Sequence, residues 1–270
     1  MPELTPLVEL LGHAPMRLVG QVTTASNAVF LVEVDELPTR YAVYKPVRGE
    51  RPLWDFPHGT LAGREYAAWL VSEAAGWGLV PATVLREGEF GLGAVQLWVG
   101  DPFAAADQPD LTDVVDVVPG RTAPDGWLSV LEARSDRGEP VLVVHEDQPD
   151  VRAMAVFDAV ANNADRKGSH ARRDPQGRLW GFDHGLTMHA EPKLRTALWG
   201  WTGQPLPEVE VTHLGELDAA LAGGPVAGQL ADVLPAADLT ALRERTRGLL
   251  ERPIHPEPSR AWPSIPWPVL

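Results

Sequence analysis

Cysteine is absent from the 270 residues. Disulfides, thiolate metal sites and cysteine nucleophiles are therefore excluded. Basic residues are in deficit: 23 Lys and Arg against 37 Asp and Glu give a net charge of −14. Binding duplex DNA needs clustered Lys and Arg, so no nucleic acid is expected as a partner. No apolar run approaches the roughly 20 residues that span a bilayer. The opening "MPELTPLVELLGHAP" has neither the basic flank nor the long apolar core of a secretory signal. The expectation is a cytoplasmic chain without stable membrane insertion. Apolar residues, at 44%, are plentiful enough for a buried core in one large domain or in two lobes sharing a cleft.

The order of patterns runs from strands to helices. Residues 2–13 read as a short helix ended by Gly12 and Pro15. Residues 16–35 carry two apolar stretches around "TTASN", a hairpin pattern. "TRYAVYKPV" alternates as a third strand, and Pro46 suggests that its end lies at a sheet edge. Residues 61–78 have helical spacing and are stopped by Gly76 and Gly78. "VPATVLRE" and "GAVQLWVG" read as two strands turning at "GEFGLG". The uneven stretch that follows is expected to hold a short helix near Trp127–Ala133. A helix then begins at Val151, followed by a small hairpin around "RRDPQGRLW". Further helices fall at "EVEVTHLGELDAALAG" and "PAADLTALRERTRGLLER", before an irregular, Pro- and Trp-rich tail. This is an α+β pattern of two lobes, residues 1–100 and 101–270.

Several polar residues stand out against this background. Lys45 sits inside an apolar strand and must find water or a partner. Glu65, on the next helix, is a natural ion-pair partner, and such a pair can hold Lys45 against nucleotide phosphates. The plain structural alternative is a solubilising Lys at a strand edge. Asp165 lies in "NNADRKGSH", directly after the helix from Val151, where Asn162 and Asn163 can end that helix through left-handed geometry. Asp183 follows 18 residues later, after the strand "LWGF". One hairpin can bring both carboxylates to one cavity. One would then position a hydroxyl while the other holds Mg²⁺ on ATP, the two tasks that phosphoryl transfer requires. A metal hydrolase using His170, His184 and His189 is a further alternative, although their spacing matches no zinc-protease pattern.

"NADRKGSH" with "GFDHGL" resembles the catalytic and metal-binding loops of the phosphatidylinositol 3- and 4-kinase superfamily, and more broadly those of atypical kinases with a protein-kinase-like fold. "YKPV", "REYAAWLV" and "GLVPATVL" occur in the matching order, over roughly residues 20–190. The whole chain also resembles a family of actinobacterial proteins distantly similar to these kinases. The resemblance implies a mainly β N-lobe with one helix and a mainly helical C-lobe. It implies ATP with Mg²⁺ or Mn²⁺ and an acceptor hydroxyl. The acidic charge and the absence of an amphipathic basic helix argue against an anionic membrane surface, so a protein or small-molecule acceptor stands beside a lipid one. Lys45 would contact phosphates and Glu65 would orient it. Asp165, with Arg166 beside it, would form the catalytic loop, and Asp183 would hold metal. Ser26 and Asn27 in "TTASN" would cover phosphates. Gln96, Leu97, Trp98 and Val99 would link the lobes and wall the adenine. The superfamily has an Asn five residues after its catalytic Asp, where this chain has His170. Neutral imidazole holds divalent metals, and suits Zn or Mn better than Mg. A pseudokinase module and an AMP transferase are the alternatives within this reading. The tail is given no part in it.

Overall fold

The structure is a computed structural model and describes residues 4–22, 27–36, 41–104 and 110–270. It begins with helix α1 (Leu4–His13) and strands β1 (Met16–Gln21), β2 (Phe30–Val34) and β3 (Tyr41–Pro46). Helix α2 (Leu61–Ala74) and strands β4 (Thr83–Gly88) and β5 (Gly91–Leu97) follow. The five strands form an antiparallel sheet in the order β1-β2-β3-β5-β4. Side chains alternate across the sheet because the strand period is two. Ala42 and Tyr44 of β3 therefore join Leu11, Val32, Val84 and Val95 in one buried cluster. Lys45, between Tyr44 and Pro46, faces the other way.

β3 lies inside the sheet, but its pairing with β2 stops at Tyr44, so at Pro46 only β5 lies opposite. β3 is flanked by β2 and β5, and Pro46 is tolerated because it is the last residue of the strand, opposite Gly93. That crossing is tight: a Cβ on Gly93 would lie 2.6 Å from the Lys45 carbonyl oxygen and 2.8 Å from Pro46 Cα. Gly93→Ala is expected to push β5 off β3 at Lys45 and to cost about 1–3 kcal/mol, the usual range for overpacking. A urea melt with an unchanged midpoint would contradict this.

The middle of the chain is strand where a helix was expected. Residues β6 (Thr112–Asp113), β7 (Val115–Pro119), β8 (Trp127–Arg134) and β9 (Pro140–Glu146) precede helix α3 (Pro149–Ala161). β7, β9 and β8 form a three-stranded antiparallel sheet. "WLSVLEAR" contains good helix formers, and its apolar residues do not alternate, but its burial does from Leu128 to Leu131. Leu128 and Val130 pack on the core while Ser129 and Leu131 are exposed. Tertiary packing overrides propensity here.

A short hairpin follows α3, made of β10 (Ala171–Arg173) and β11 (Leu179–Gly181), with β6 on the other edge of β10. Helices α4 (Glu208–Ala222), α5 (Pro225–Val233) and α6 (Ala236–Glu251) complete the helical part. α5 was not anticipated. It starts at Pro225 directly after Gly223 and Gly224, where a Pro at the first helical position is favourable. Residues of α2 share the larger apolar core with α3 to α6, so this helix joins the sheet to the helical part. Among the described residues there are six α-helices, and no helix is long and apolar enough to cross a membrane.

Candidate functional site

Three elements bring Lys45, Glu65 and Asp183 together. Lys45 projects from β3, and Glu65 sits one turn into α2. Asp183 stands two residues beyond β11 in left-handed geometry, with φ 54°. Non-glycine residues adopt that region rarely, and Asp tolerates it better than most. Lys45 Nζ donates to Glu65 Oε1, and lies 3.1 Å from Asp183 Oδ1. The other Glu65 oxygen accepts from the His184 N–H at 3.1 Å. Burial alone would lower the Lys45 pKa, but the carboxylates of Asp183 and Glu65 outweigh it and hold the ammonium above the ordinary lysine range. In return Lys45 holds the Asp183 carboxyl below the usual carboxylate range, against burial. The Asp183 side chain remains 58% exposed to the cleft, so solvent screens part of this attraction.

Asp165 is placed by the end of α3. Asn162 ends that helix at φ 50° and ψ 49°, as its sequence suggested. Its amide donates to the carbonyls of His189 and Glu191, which anchors the chain after the hairpin. The Asn163 side-chain oxygen accepts from the Asp165 N–H at 3.0 Å. Asp165 Oδ2 lies 3.0 Å from Lys167 Nζ.

His170 faces Asp183. Its Nδ1 is 3.0 Å from the Asp165 carbonyl oxygen. A carbonyl only accepts, so Nδ1 carries the proton and the Nε2 lone pair is free. Burial lowers the His170 pKa, which favours this neutral form despite the opposing pull of Asp183. Nε2 then lies 3.6 Å from Asp183 Oδ2, one lone-pair atom facing another. That donor set fits a divalent cation held with the help of nucleotide phosphates, since Mg²⁺ sites commonly use only one or two protein ligands. The other two histidines do not join it. His184 is buried against Arg166, and the His189 ring packs on Phe56 at 5.2 Å. Among the described residues, no three His, Asp or Glu side chains gather as a self-contained metal site.

Arg166, beside Asp165 in the sequence, does not line either cavity at Lys45. It is fully buried behind the loops. Its guanidinium grips Asp158 of α3 through three contacts of 2.9 to 3.1 Å. It also donates to the carbonyls of His170 at 2.8 Å and Phe182 at 3.1 Å, and to His184 Nε2 at 2.8 Å. Arg166 thus braces the loops of Asp165 and Asp183 from behind. Asp158 additionally accepts from Asn163 and from Thr196 Oγ1. The sequence reading passed over Asp158. Its signal was a carboxylate inside the apolar run "VRAMAVFDAVA", which needs a buried cation. The Arg64–Asp238 pair was missed in the same way. It is buried, and joins α2 to α6 at 2.6 Å.

Two cavities meet at the Lys45–Asp183 pair. One, of about 570 Å³, is lined by Asn27, Lys45, Glu65, Asp165, His170 and Asp183, among others. The second, of about 250 Å³, is lined by Gln96, Leu97, Trp98 and Val99, and shares Lys45, Ser169 and Asp183 with the first. The Asn27 side-chain oxygen accepts from the Arg51 N–H, which holds the loop after β3. Ser26 lies outside the described residues. Gln96 donates to Thr83, and the Leu97 and Trp98 N–H groups are taken by Ala82 and Tyr41. Pro268 and Leu270, from the tail that was given no part, also line the larger cavity.

The sheet carrying Lys45, the helix carrying Glu65 and the hairpin before Asp183 belong to one mixed α/β fold, which solved structures share. The structure of hydra Fam20 with sugar superposes with a TM-score of 0.50 at 14% identity, covering 93% of this chain and 89% of that one. The crystal structure of the Golgi casein kinase gives 0.49 at 13% identity, over 91% and 74%. The chain belongs to the family of protein Rv2133c of Mycobacterium tuberculosis, to which it is 47% identical over 264 residues, 97% of this chain and 94% of that protein. No family model matches the sequence.

Proposed function

We propose that this protein is an ATP-dependent phosphotransferase acting on a hydroxyl of a small molecule or protein, with its cleft between lobes of residues 1–100 and 101–270. The observation that carries the reading is the meeting of Lys45, Glu65 and Asp183 at one cavity that Asp165 also lines. Each comes from a different element, and Lys45 and Asp183 are 138 residues apart. The adenine occupies the compartment of Gln96–Val99. Lys45, oriented by Glu65, pairs with the phosphates at the junction of the two compartments. Asp165 accepts the acceptor's proton as its oxygen bonds to the γ-phosphorus and the bond to ADP breaks. Asp183 and His170 would hold the divalent metal, which when bound neutralises charge on the transferring phosphoryl group. Arg166 is a positioning residue. Positioning and electrostatics supply most of the catalysis in this chemistry. The likeness to phosphatidylinositol kinases contributes the order of these residues and no lipid substrate.

A nucleotide-binding module without turnover is the second reading, favoured by His170 standing where these kinases have Asn. Thermal denaturation tests nucleotide binding for both. Mn²⁺–ATP at about 100 times its Kd is expected to add roughly 2.7 kcal/mol, with Mg²⁺–ATP smaller because imidazole prefers the softer ion. An unchanged midpoint with every nucleotide–metal pair would contradict both readings.

A further inference from the structure

One wall of the cleft has no role in the scheme above. After α6 the tail returns to the site, and its last residues, 264–270, are fastened by main-chain carbonyls at two places. The Thr196 N–H and Trp199 Nε1 both donate to the Ser264 carbonyl, at 3.1 and 2.8 Å. The Gly168 N–H donates to the Val269 carbonyl at 2.8 Å. Gly168 lies three residues after Asp165 and two before His170. The fit there is close: a Cβ on Gly168 would lie 2.8 Å from Leu270 Cδ2 and 3.0 Å from Val115 Cβ. Residues 168–170 form only a single 3-10 turn. Such a turn has few internal hydrogen bonds to fix it, so the main-chain bond to Val269 and the packing of Leu270 add at Gly168 to the hold that Arg166 and the Phe182 N–H have on the His170 carbonyl.

The tail also has a definite side. Pro268 and Leu270 line the cavity that holds Asp165 and Lys167, and neither lines the compartment of Gln96–Val99. With the base in the smaller compartment and the phosphates at Lys45 and Asp183, the tail stands where the acceptor must enter.

We propose that residues 264–270 are a working part of the site: Val269 and Leu270 position the loop of residues 165–170, and Pro268 and Leu270 form an apolar wall beside the acceptor hydroxyl. The inference rests on the phosphotransferase reading for its catalytic consequence. A displacement of about 1 Å in a catalytic group lowers rates by roughly a hundredfold, so loosening this loop should act on turnover more than on nucleotide affinity.

The test uses the full chain with Leu270→Ala or Leu270→Asp, and a chain stopped after Ile265. Three quantities are measured: γ-phosphate release from Mn²⁺–ATP with water as acceptor, amide exchange at Gly168, and the thermal shift on adding Mn²⁺–ATP. Leu270→Asp is expected to lower kcat at least about tenfold with the KM for ATP within about twofold. Gly168 exchange should quicken by at least about tenfold, and the nucleotide shift should persist. Leu270→Ala should move the same way by less, and the shortened chain by more. Unchanged kcat and unchanged Gly168 exchange in both Leu270→Asp and the shortened chain would overturn the proposal. A rise in kcat would also overturn it, because the tail would then be a plug. If the parent shows neither nucleotide shift nor turnover, the phosphotransferase reading fails separately, and Gly168 exchange alone decides whether the tail holds the loop.

Discussion

Asp158→Ala is expected to destabilise the protein by about 3–5 kcal/mol, the cost of leaving one member of a buried ion pair alone. For a chain of this size that is a fall in Tm of roughly 10 °C. The reason is local. Arg166 and Asp158 are both fully buried, and without the carboxylate the guanidinium keeps its charge with no counter-ion. The same cation ties the carbonyls of His170 and Phe182 and the ring of His184, so the damage should spread to the loops of Asp165 and Asp183. Adding Arg166→Met to Asp158→Ala removes the stranded charge and should recover part of the loss. If the double variant is less stable than Asp158→Ala by the full cost of a second independent lesion, the pair is not coupled as described. Differential scanning calorimetry reads all three proteins.

Lys45→Met should leave the fold intact and lower kcat by about 10²–10³, the range for removing one electrostatic donor from a transition state. Its second signature is in pH. In the parent, Lys45 is held above its ordinary range, so its contribution to stability is present below about pH 10.4 and is lost only as pH rises through the folded value. Asp183 is held below its ordinary range, so its contribution is present above about pH 3.9 and is lost only as pH falls through the folded value. The contribution of the pair is therefore flat from about pH 5 to 9. In Lys45→Met the largest influence lowering Asp183 is gone, so this largely exposed carboxyl relaxes toward the ordinary range, while buried Glu65 loses the cation that opposes its burial. The Glu65 pKa is already raised by burial. A carboxyl raised by folding binds protons in the folded state, so the variant's Tm should fall as pH rises across that window. A pH profile parallel to the parent's would show that neither Asp183 nor Glu65 depends on Lys45.

Much of the site was legible because its residues break local patterns. Lys45 interrupts an alternating apolar strand, and Asp165 and Asp183 sit where an apolar helix and a short strand end. Those anomalies are visible in sequence because strand and helix periods are short-range. Asp158 broke the pattern of its helix just as clearly, but its meaning depended on Arg166 folding back beneath the loop, which no period reports. Arg166 shows the same limit: next to Asp165 in sequence, it is buried against Asp158 rather than lining the cavity. β8 was read as a helix because Leu, Glu, Ala and Arg favour helices, whereas pairing with β9 on one side and burial of Leu128 and Val130 decided the outcome. Pro46 marked a strand end with β5 on one side and no β2 partner on the other, but not that β3 runs inside the sheet. The tail offered only its tryptophans, Trp262 and Trp267, as residues that could line a surface or pack on a lobe, since an irregular Pro- and Trp-rich segment carries no periodicity from which a destination can be read.

The central claim is that Asp165 serves phosphoryl transfer in a cleft organised by Lys45, Glu65 and Asp183. The direct measurement is the fate of ATP labelled at the γ-phosphorus, incubated with Mn²⁺ and either the parent protein or Asp165→Asn, both checked for an unchanged Tm. The account predicts release or transfer of the γ-label by the parent and a loss of about 10²–10⁴-fold in Asp165→Asn, the range for removing a general base. Equal rates in the two proteins, or label moving only when it is placed at the α-phosphorus, would contradict it.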